Sequence, residues 1–266
     1  MKIGIAGAAG RMGRMLAAAV AHTPEAELAG GLERPGHPEI GSDVAGLAGL
    51  AACGATVGDD AEALFAAADA VLDFTTPETL LSLAPVAARS GKAYVVGTTG
   101  LAAPHFAALA EAAKAVPIVQ AANMSVGVNL LLGLVADAAA VLGTDYDLEI
   151  VEMHHRHKVD APSGTALALG EAAAAARGQR LADVGVKSRD GHTGARPTGA
   201  IGFATLRGGD VVGDHLAIFA GDGERIELGH RASSRAVFAR GAVRAALWTA
   251  GRPPGLYGMR HVLGLA

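Results

Sequence analysis

Cysteine is almost missing from this 266-residue chain: Cys53 stands alone, which excludes an internal disulfide and suits a reducing cytosol. Aromatic residues make up only 4 %, so the core has to be assembled from Ala, Leu, Val and Gly, as in α/β proteins whose helices meet a sheet through small side chains. Basic residues are not in excess. The formal net charge is −4 with no basic block, which gives no footing for nucleic acid. Long unbroken apolar runs are also lacking, since residues 126–142 contain Asn129 and Asp137, and a membrane partner is not expected. There is no targeting segment with an apolar stretch and a cleavage site, so the location expected is cytoplasmic. No internal repeat is visible. The length favours two modest domains over one large one.

What the chain does have begins at once. Residues 2–6 (Lys-Ile-Gly-Ile-Ala) read as a strand, Gly7-Ala-Ala-Gly10-Arg-Met-Gly13 as a turn, and residues 14–21 as a helix. A strand, a glycine turn and a helix place an anion on the helix start, where unpaired N–H groups and the dipole stabilise it. The spacing is G-x-x-G-x-x-G rather than the commoner G-x-G-x-x-G, and a tight turn that binds nothing would use the same glycines. Context favours the binding site. A second strand, residues 27–32, leads to Glu33, which lies 20 positions after Gly13 and can accept hydrogen bonds from a ribose diol. Arg34 follows. Its guanidinium either pairs with a 2′-phosphate or is an ordinary solvated loop charge. Glu33 favours NAD and Arg34 favours NADP, so use of either is expected.

Alternation of strands and helices continues through residues 71–74, 77–89, 93–96, 102–115 and 117–120, the pattern of a parallel sheet. Loops of chemical interest follow strand C-termini: residues 7–13, 75–76, 97–100 and 121–124. Open α/β sheets bind ligands along that edge. The pattern then changes. A helix ends near Leu142, residues 147–153 alternate as a strand, residues 166–176 are helical, and residues 177–198 form a polar loop. Three period-2 runs at 201–207, 211–220 and 225–231 are separated by hairpin-type turns, Gly208-Gly-Asp and Gly221-Asp-Gly. A last helix, residues 234–249, is expected to return to the first domain. The fold class expected is α/β. A Rossmann-like dinucleotide-binding domain, residues 1–125 plus 236–266, surrounds a second α+β domain, residues 126–235, built on a mixed or antiparallel sheet.

Residues 154–158 read His-His-Arg-His-Lys and concentrate cationic and proton-transfer groups at a strand end. Imidazole titrates near working pH and suits general acid work at His154 or its neighbours. Pro162-Ser-Gly-Thr then opens a helix. Its first N–H groups, with the Ser163 and Thr165 hydroxyls, make a second anion site, and Lys158 adds a receptor for a carboxylate. A metal reading of His154, His155 and His157 competes with this one, but adjacent histidines on a strand point to opposite faces and no helical H-x-x-x-H spacing occurs, so no metal is expected. A solvated basic strand end before an ordinary Ser cap is the third reading.

Glu152-Met-His-His-Arg-His-Lys-Val-Asp-Ala-Pro-Ser-Gly-Thr-Ala166 resembles the signature of the 4-hydroxy-tetrahydrodipicolinate reductase (dihydrodipicolinate reductase) family of lysine and diaminopimelate biosynthesis. The blocks at residues 7–13, 73–75, 97–100, 121–127, 202–205 and 230–235 resemble family blocks in family order, so the likeness spans nearly the whole chain. Met124 stands where many relatives carry Phe, with little consequence expected. The resemblance implies an oxidoreductase that passes a hydride from NADH or NADPH to a cyclic, imine-containing dicarboxylate. It implies His154 as proton donor and acceptor and Lys158 as an assisting donor, with His155, Gly164 and Thr165 on the substrate beside Ser163. For the cofactor it implies Gly7, Ala8, Ala9, Gly10, Arg11 and Met12, then Glu33 and Arg34, then Gly97, Thr98 and Thr99, then Ala121, Ala122, Asn123 and Met124. It also implies a homotetramer built through the second-domain sheets. A site between two domains would need hinge closure, expected near residues 123–127 and 233–235.

Two other functions compete. A semialdehyde dehydrogenase needs a thiolate nucleophile, and Cys53 has no base beside it in sequence. A non-catalytic NAD(P) sensor would have no use for His154 and Lys158 beside an anion-binding helix start.

Overall fold

Two isoleucines, Ile3 and Ile5, place their side chains on one face of the opening strand β1 (Lys2–Ala6), and both are fully buried. The computed structural model describes residues 1–265. By its internal contacts the chain divides into two units, Met1–Val126 with Ala236–Ala266 and Gly127–Arg235.

In the first unit β1 is followed by α1 (Arg11–Ala21), β2 (Glu27–Leu32), α2 (Val44–Leu47), β3 (Val57–Gly58), α3 (Ala61–Ala67) and β4 (Ala70–Asp73). Then come α4 (Pro77–Ser90), β5 (Ala93–Val96), α5 (Ala103–Ala112) and β6 (Pro117–Gln120). Among the described residues the strands pair in the order β3-β2-β1-β4-β5-β6, all in parallel, so the sheet winds outward in both directions from β1 and β4. Alternate residues feed the two faces. Leu72 and Val95 join Ile3 and Ile5 in a core with Leu16, Ala17 and Val20 of α1. Val71, Tyr94 and Val96 enter the opposite core with Leu64, Leu80, Leu83 and Leu109 of α3, α4 and α5. Burial on both faces is what a parallel sheet with helical crossovers requires.

Helix α1 starts three residues earlier than the glycine spacing suggests, with Gly10 as its N-cap. Gly13 belongs to the helix, not to the turn. A Cβ there would sit 2.1 Å from the Gly7 carbonyl oxygen, so Gly13 allows the helix to lie against the turn, while Gly7 (φ +69°) makes the turn itself. The short elements α2, β3 and α3 had no visible periodicity. Asp43 and Asp60 cap the two helices by accepting from Gly46 N–H and from Glu62 and Ala63 N–H.

The second unit contains most of α6 (Val126–Leu142), then β7 (Asp147–His154), α7 (Gly164–Ala176), α8 (Leu181–Val184), β8 (Gly185–Val186), β9 (Ile201–Arg207), β10 (Gly213–Gly221) and β11 (Glu224–Ala232). The sheet order is β11-β10-β7-β9-β8. β10 is antiparallel to both β7 and β11, and β9 is parallel to both β7 and β8, so the sheet is mixed. The Gly221-Asp-Gly turn closes a hairpin, with Gly221 paired to Glu224. The Gly208-Gly-Asp turn does not, because β7 lies between β9 and β10. Leu131, Val135 and Ala139 of α6, at helical spacing, and Ala166, Leu169 and Ala173 of α7 cover one sheet face carrying Leu148, Ile150, Phe203, Ala217 and Phe219.

The chain then re-enters the first unit. α9 (Ala236–Trp248) packs on α1 through Ala239, Ala242, Val243 and Ala246. β12 (Gly255–Tyr257) adds a parallel strand beside β6, and α10 (Met259–Val262) follows. Neither β12 nor α10 was legible in the sequence. A Cβ on Gly241 would lie 1.7 Å from the Met124 carbonyl oxygen. Gly241→Ala is therefore expected to destabilise the protein by about 2–3 kcal/mol through overpacking, read as a lowered Tm.

Candidate functional site

The C-terminal edge of the first sheet carries a glycine turn fixed by backbone and side chain together. Gly7 and Ala8 N–H groups donate to the Leu32 carbonyl (2.8 and 3.4 Å), and Ala9 N–H donates to Glu33 Oε1 (2.9 Å). Gly10 offers α1 no capping side chain. Gly7, Glu33 and Arg34 line one cavity of about 430 Å³ together with Asp59, Thr75, Thr76 and Thr79. Of the other residues expected there, Ala8 is fully buried, Arg11 is exposed and Met12 is half-buried. The set fits a dinucleotide: a turn that Cβ atoms would fill, an uncapped helix start for phosphate, and Glu33 and Arg34 where a ribose would lie.

The neighbouring loops are held by Asp73, a fully buried carboxylate at the end of β4. It accepts from Thr75 N–H (2.8 Å), Thr75 Oγ1 (2.6 Å), the Tyr94 hydroxyl and Thr98 Oγ1 (3.3 Å). Burial, and then the Asp73 charge, push the Tyr94 hydroxyl well above its ordinary range. The Thr98 hydroxyl is thus turned to Asp73, while Gly97 is buried and Thr99 exposed. After β6, Ala121 N–H donates to the Val96 carbonyl (3.1 Å) and Asn123 Oδ1 accepts from Ser125 N–H (2.9 Å). Ala122 is exposed, and the Met124 side chain is buried in the core.

In the second unit the helix-covered sheet face changes character toward the β7 C-terminus. Rows built from Leu148 and Ile150 give way to a row in which Thr205, Glu152, His215 and His230 are direct cross-strand neighbours, and then to His154 beside Arg207. Glu152 is 1 % exposed and His154 8 %. His154 Nδ1 lies 2.6 Å from Glu152 Oε2. Arg207 grips the same carboxylate with two bonds, 2.7 Å to Oε2 and 2.9 Å to Oε1, and Ser163 N–H (3.0 Å) and Thr205 Oγ1 (3.3 Å) also donate to Oε1. Burial works to raise the Glu152 carboxyl, but hydrogen bonds from Arg207, His154 and the Ser163 N–H outweigh it and hold the group below its ordinary range.

Ser163 caps α7, accepting from Ala166 N–H (3.2 Å), and its hydroxyl lies 3.0 Å from His215 Nε2. Gly164 is exposed and Thr165 half-buried at the first turn. Lys158 Nζ donates to Asp160 Oδ1 (2.8 Å). His155 Nε2 lies 3.3 Å from the Arg235 guanidinium, and burial followed by that charge depresses its pKa. The three neighbouring imidazoles do not converge: His154 turns to Glu152, His155 to Arg235, and His157 is exposed. Cys53 is exposed beside the Asp43 carboxylate, which is no base arrangement for a nucleophile. The residues that sequence reading missed are Glu152, Thr205, Arg207 and His215 here, and Asp73 in the first unit. Glu152 stood in the signature without a role, and Thr205, Arg207 and His215 are joined to it only by strand order.

Comparison with known proteins breaks the chain at the same first boundary, although the C-terminal match runs on through the α9, β12 and α10 segment of the first unit. A family model described as dihydrodipicolinate reductase, N-terminus, matches residues 1–124, and one described as dihydrodipicolinate reductase, C-terminus, matches residues 127–263. The chain is 57 % identical to 4-hydroxy-tetrahydrodipicolinate reductase 1 of Mesorhizobium japonicum, covering 100 % of this chain and 98 % of the relative. It is 56 % identical to the 4-hydroxy-tetrahydrodipicolinate reductase of Methylocella silvestris, covering 100 % and 97 %. Among solved structures, the dipicolinate-bound dihydrodipicolinate reductase of Paenisporosarcina sp. TG-14 superposes with a TM-score of 0.78 at 25 % identity, covering 98 % of each chain.

The polar row carries a pH signature. Burial, then the neighbouring His154, lower the His215 pKa from 6.5 to about 4, with Glu152 acting the other way and His230 and Lys158 adding to the depression. Between those values the unfolded chain takes up a proton that the folded one refuses. Stability is therefore intact above pH 6.5 and is lost as pH falls toward 4, by about 2 kcal/mol between pH 7 and 5 from this residue. Urea unfolding at pH 7, 6 and 5 is expected to show this slope in the wild type and a flatter one in His215→Asn. Equal slopes would remove His215 as the cause.

Proposed function

The chain belongs to the dihydrodipicolinate reductase family, and from that premise we propose that it reduces 4-hydroxy-tetrahydrodipicolinate to tetrahydrodipicolinate in diaminopimelate and lysine biosynthesis. The net change is loss of water from the ring and gain of one hydride and one proton. NADH or NADPH, when bound, supplies the hydride. Residues 1–125 with 236–266 hold that dinucleotide, and residues 126–235 hold the ring and associate with other copies.

The observation that carries this reading is the grouping of His154, Lys158 and the start of α7 at one end of one sheet. His154 is an acid group with one ring nitrogen held by Glu152, and it gives a proton to the reduced ring. Lys158 assists as a second donor. The two ring carboxylates take Lys158, His155 and the α7 start, where Gly164 and Thr165 offer donors beside Ser163, the cap whose own N–H is held by Glu152. The dinucleotide phosphates take the turn of Gly7, Ala8, Ala9, Gly10, Arg11 and Met12 at the uncapped start of α1, and the ribose takes Glu33 and Arg34. The loops at Gly97, Thr98 and Thr99 and at Ala121, Ala122, Asn123 and Met124 border the remainder of the cofactor.

We assign a homotetramer to the uncovered face of the second sheet, where Val151, Met153, Leu206 and Leu216 line a shared depression and Leu206 is 50 % exposed. The location we assign is the cytoplasm, in keeping with a single cysteine that is exposed and unpaired.

Mixing the protein with NADPH and freshly generated substrate is expected to deplete the reduced-cofactor absorbance. No loss beyond an enzyme-free control would contradict the activity. His154→Gln and Lys158→Met are expected to lower kcat by roughly 100-fold while leaving NADPH affinity nearly unchanged. Loss of cofactor binding in either variant would instead place those residues in the wrong site.

A further inference from the structure

We propose that Glu152 is a positioning residue for catalysis: its carboxylate fixes the tautomer of His154 and the start of α7 at the same time, so that proton donor and carboxylate receptor hold one geometry. This role rests on the reductase reading for its kinetic consequence, but its structural half stands on the side-chain contacts alone.

Glu152 is 1 % exposed and its pKa is depressed, so at working pH it is an anion that can only accept hydrogen bonds. Oε2 accepts from Arg207 at 2.7 Å and meets His154 Nδ1 at 2.6 Å. That nitrogen must therefore carry a proton whether the ring is neutral or charged. The proton exchanged with a ligand is then always the one on Nε2. A ring that has delivered its Nε2 proton is left in the tautomer ready to take up another at the same nitrogen.

Oε1 accepts from the Ser163 N–H at 3.0 Å and from Arg207 at 2.9 Å. Ser163 is the N-cap of α7, so the carboxylate that orients the imidazole also fixes where the Gly164 and Thr165 N–H groups stand. Arg207 supplies the counter-charge without which a buried carboxylate would protonate or move, and its second nitrogen also donates to the Asp160 carbonyl (2.7 Å), tying in the loop that bears Lys158. A mere core ion pair would need only Arg207. Two further donors, His154 and the Ser163 N–H, come from the two segments proposed to do chemistry, and Thr205 Oγ1 of β9 adds a third.

The test is Glu152→Gln, alone and combined with His154→Gln, together with nitrogen-15 NMR of His154. The amide keeps the shape but puts an NH2 group where donors now point. With His154 present, the substitution is expected to lower kcat by roughly 100-fold, with the KM for NADPH changed by less than about twofold. In the His154→Gln background the same substitution is expected to cost less than about tenfold, because the part acting through the imidazole is gone and only the hold on the α7 start is left to lose. Equal losses in both backgrounds would overturn the proposal, as would an unaffected kcat. In the spectra, the neutral His154 ring of the wild type is expected to carry its proton on Nδ1, and that of Glu152→Gln to move toward Nε2. A wild-type ring protonated on Nε2 would also overturn the proposal, even if Glu152→Gln fails to fold. If the wild type turned over no substrate, the reductase reading would fall, and the wild-type tautomer would still decide the role of Glu152.

Discussion

A carboxylate without water must be surrounded by donors, and Glu152 sits where β7, β9 and the start of α7 can each supply one. Much of the second unit follows from that requirement. Up to Ile150 the covered sheet face is apolar and is sealed by α6 and α7. One row further on the same face carries Thr205, Glu152, His215 and His230, and the buried Glu152 carboxylate is tolerable there because Arg207, His154, Ser163 and Thr205 surround it. The unit therefore has a polar end that continues directly from its hydrophobic core. The two residues proposed as acids, His154 and Lys158, are held by partners from that end or its adjoining loop, Glu152 and Asp160.

The first unit solves a similar problem with a similar device. Asp73, also fully buried, also stands at the C-terminus of a strand and also collects donors from loops that leave the sheet edge. It joins the Thr75 loop to the Thr98 loop, as Glu152 joins His154 to Ser163. In both units the segments proposed to do chemistry are strand ends, loops and helix starts. A buried anion gives them the fixed geometry that packing alone would not.

Reading the sequence recovered the elements whose signal is local. The opening strand, turn and helix, the β4, β5 and β6 strands, and the Pro162-Ser-Gly-Thr helix start all announce themselves within a few residues. The resemblance carried the activity, and the roles proposed for His154 and Lys158, further than composition could. What was not legible depends on strand order. Hairpin reading of Gly208-Gly-Asp puts β9 beside β10, whereas β7 separates them, and only that order brings Thr205 and Arg207 to one side of Glu152 and His215 to the other. The early start of α1 was hidden because Gly13 serves helix-to-turn contact rather than the turn. The two-residue β3 and the three-residue β12 are too short to display a period.

The most direct measurement of the account is a crystal structure of the protein with reduced cofactor and pyridine-2,6-dicarboxylate, a planar analogue of the substrate ring. The expected result places one carboxylate on Lys158 and the first N–H groups of α7 at Gly164 and Thr165, with His154 Nε2 directed at the ring and Nδ1 still on Glu152. A dicarboxylate bound away from residues 154–165, with His154 turned from it, would contradict the account.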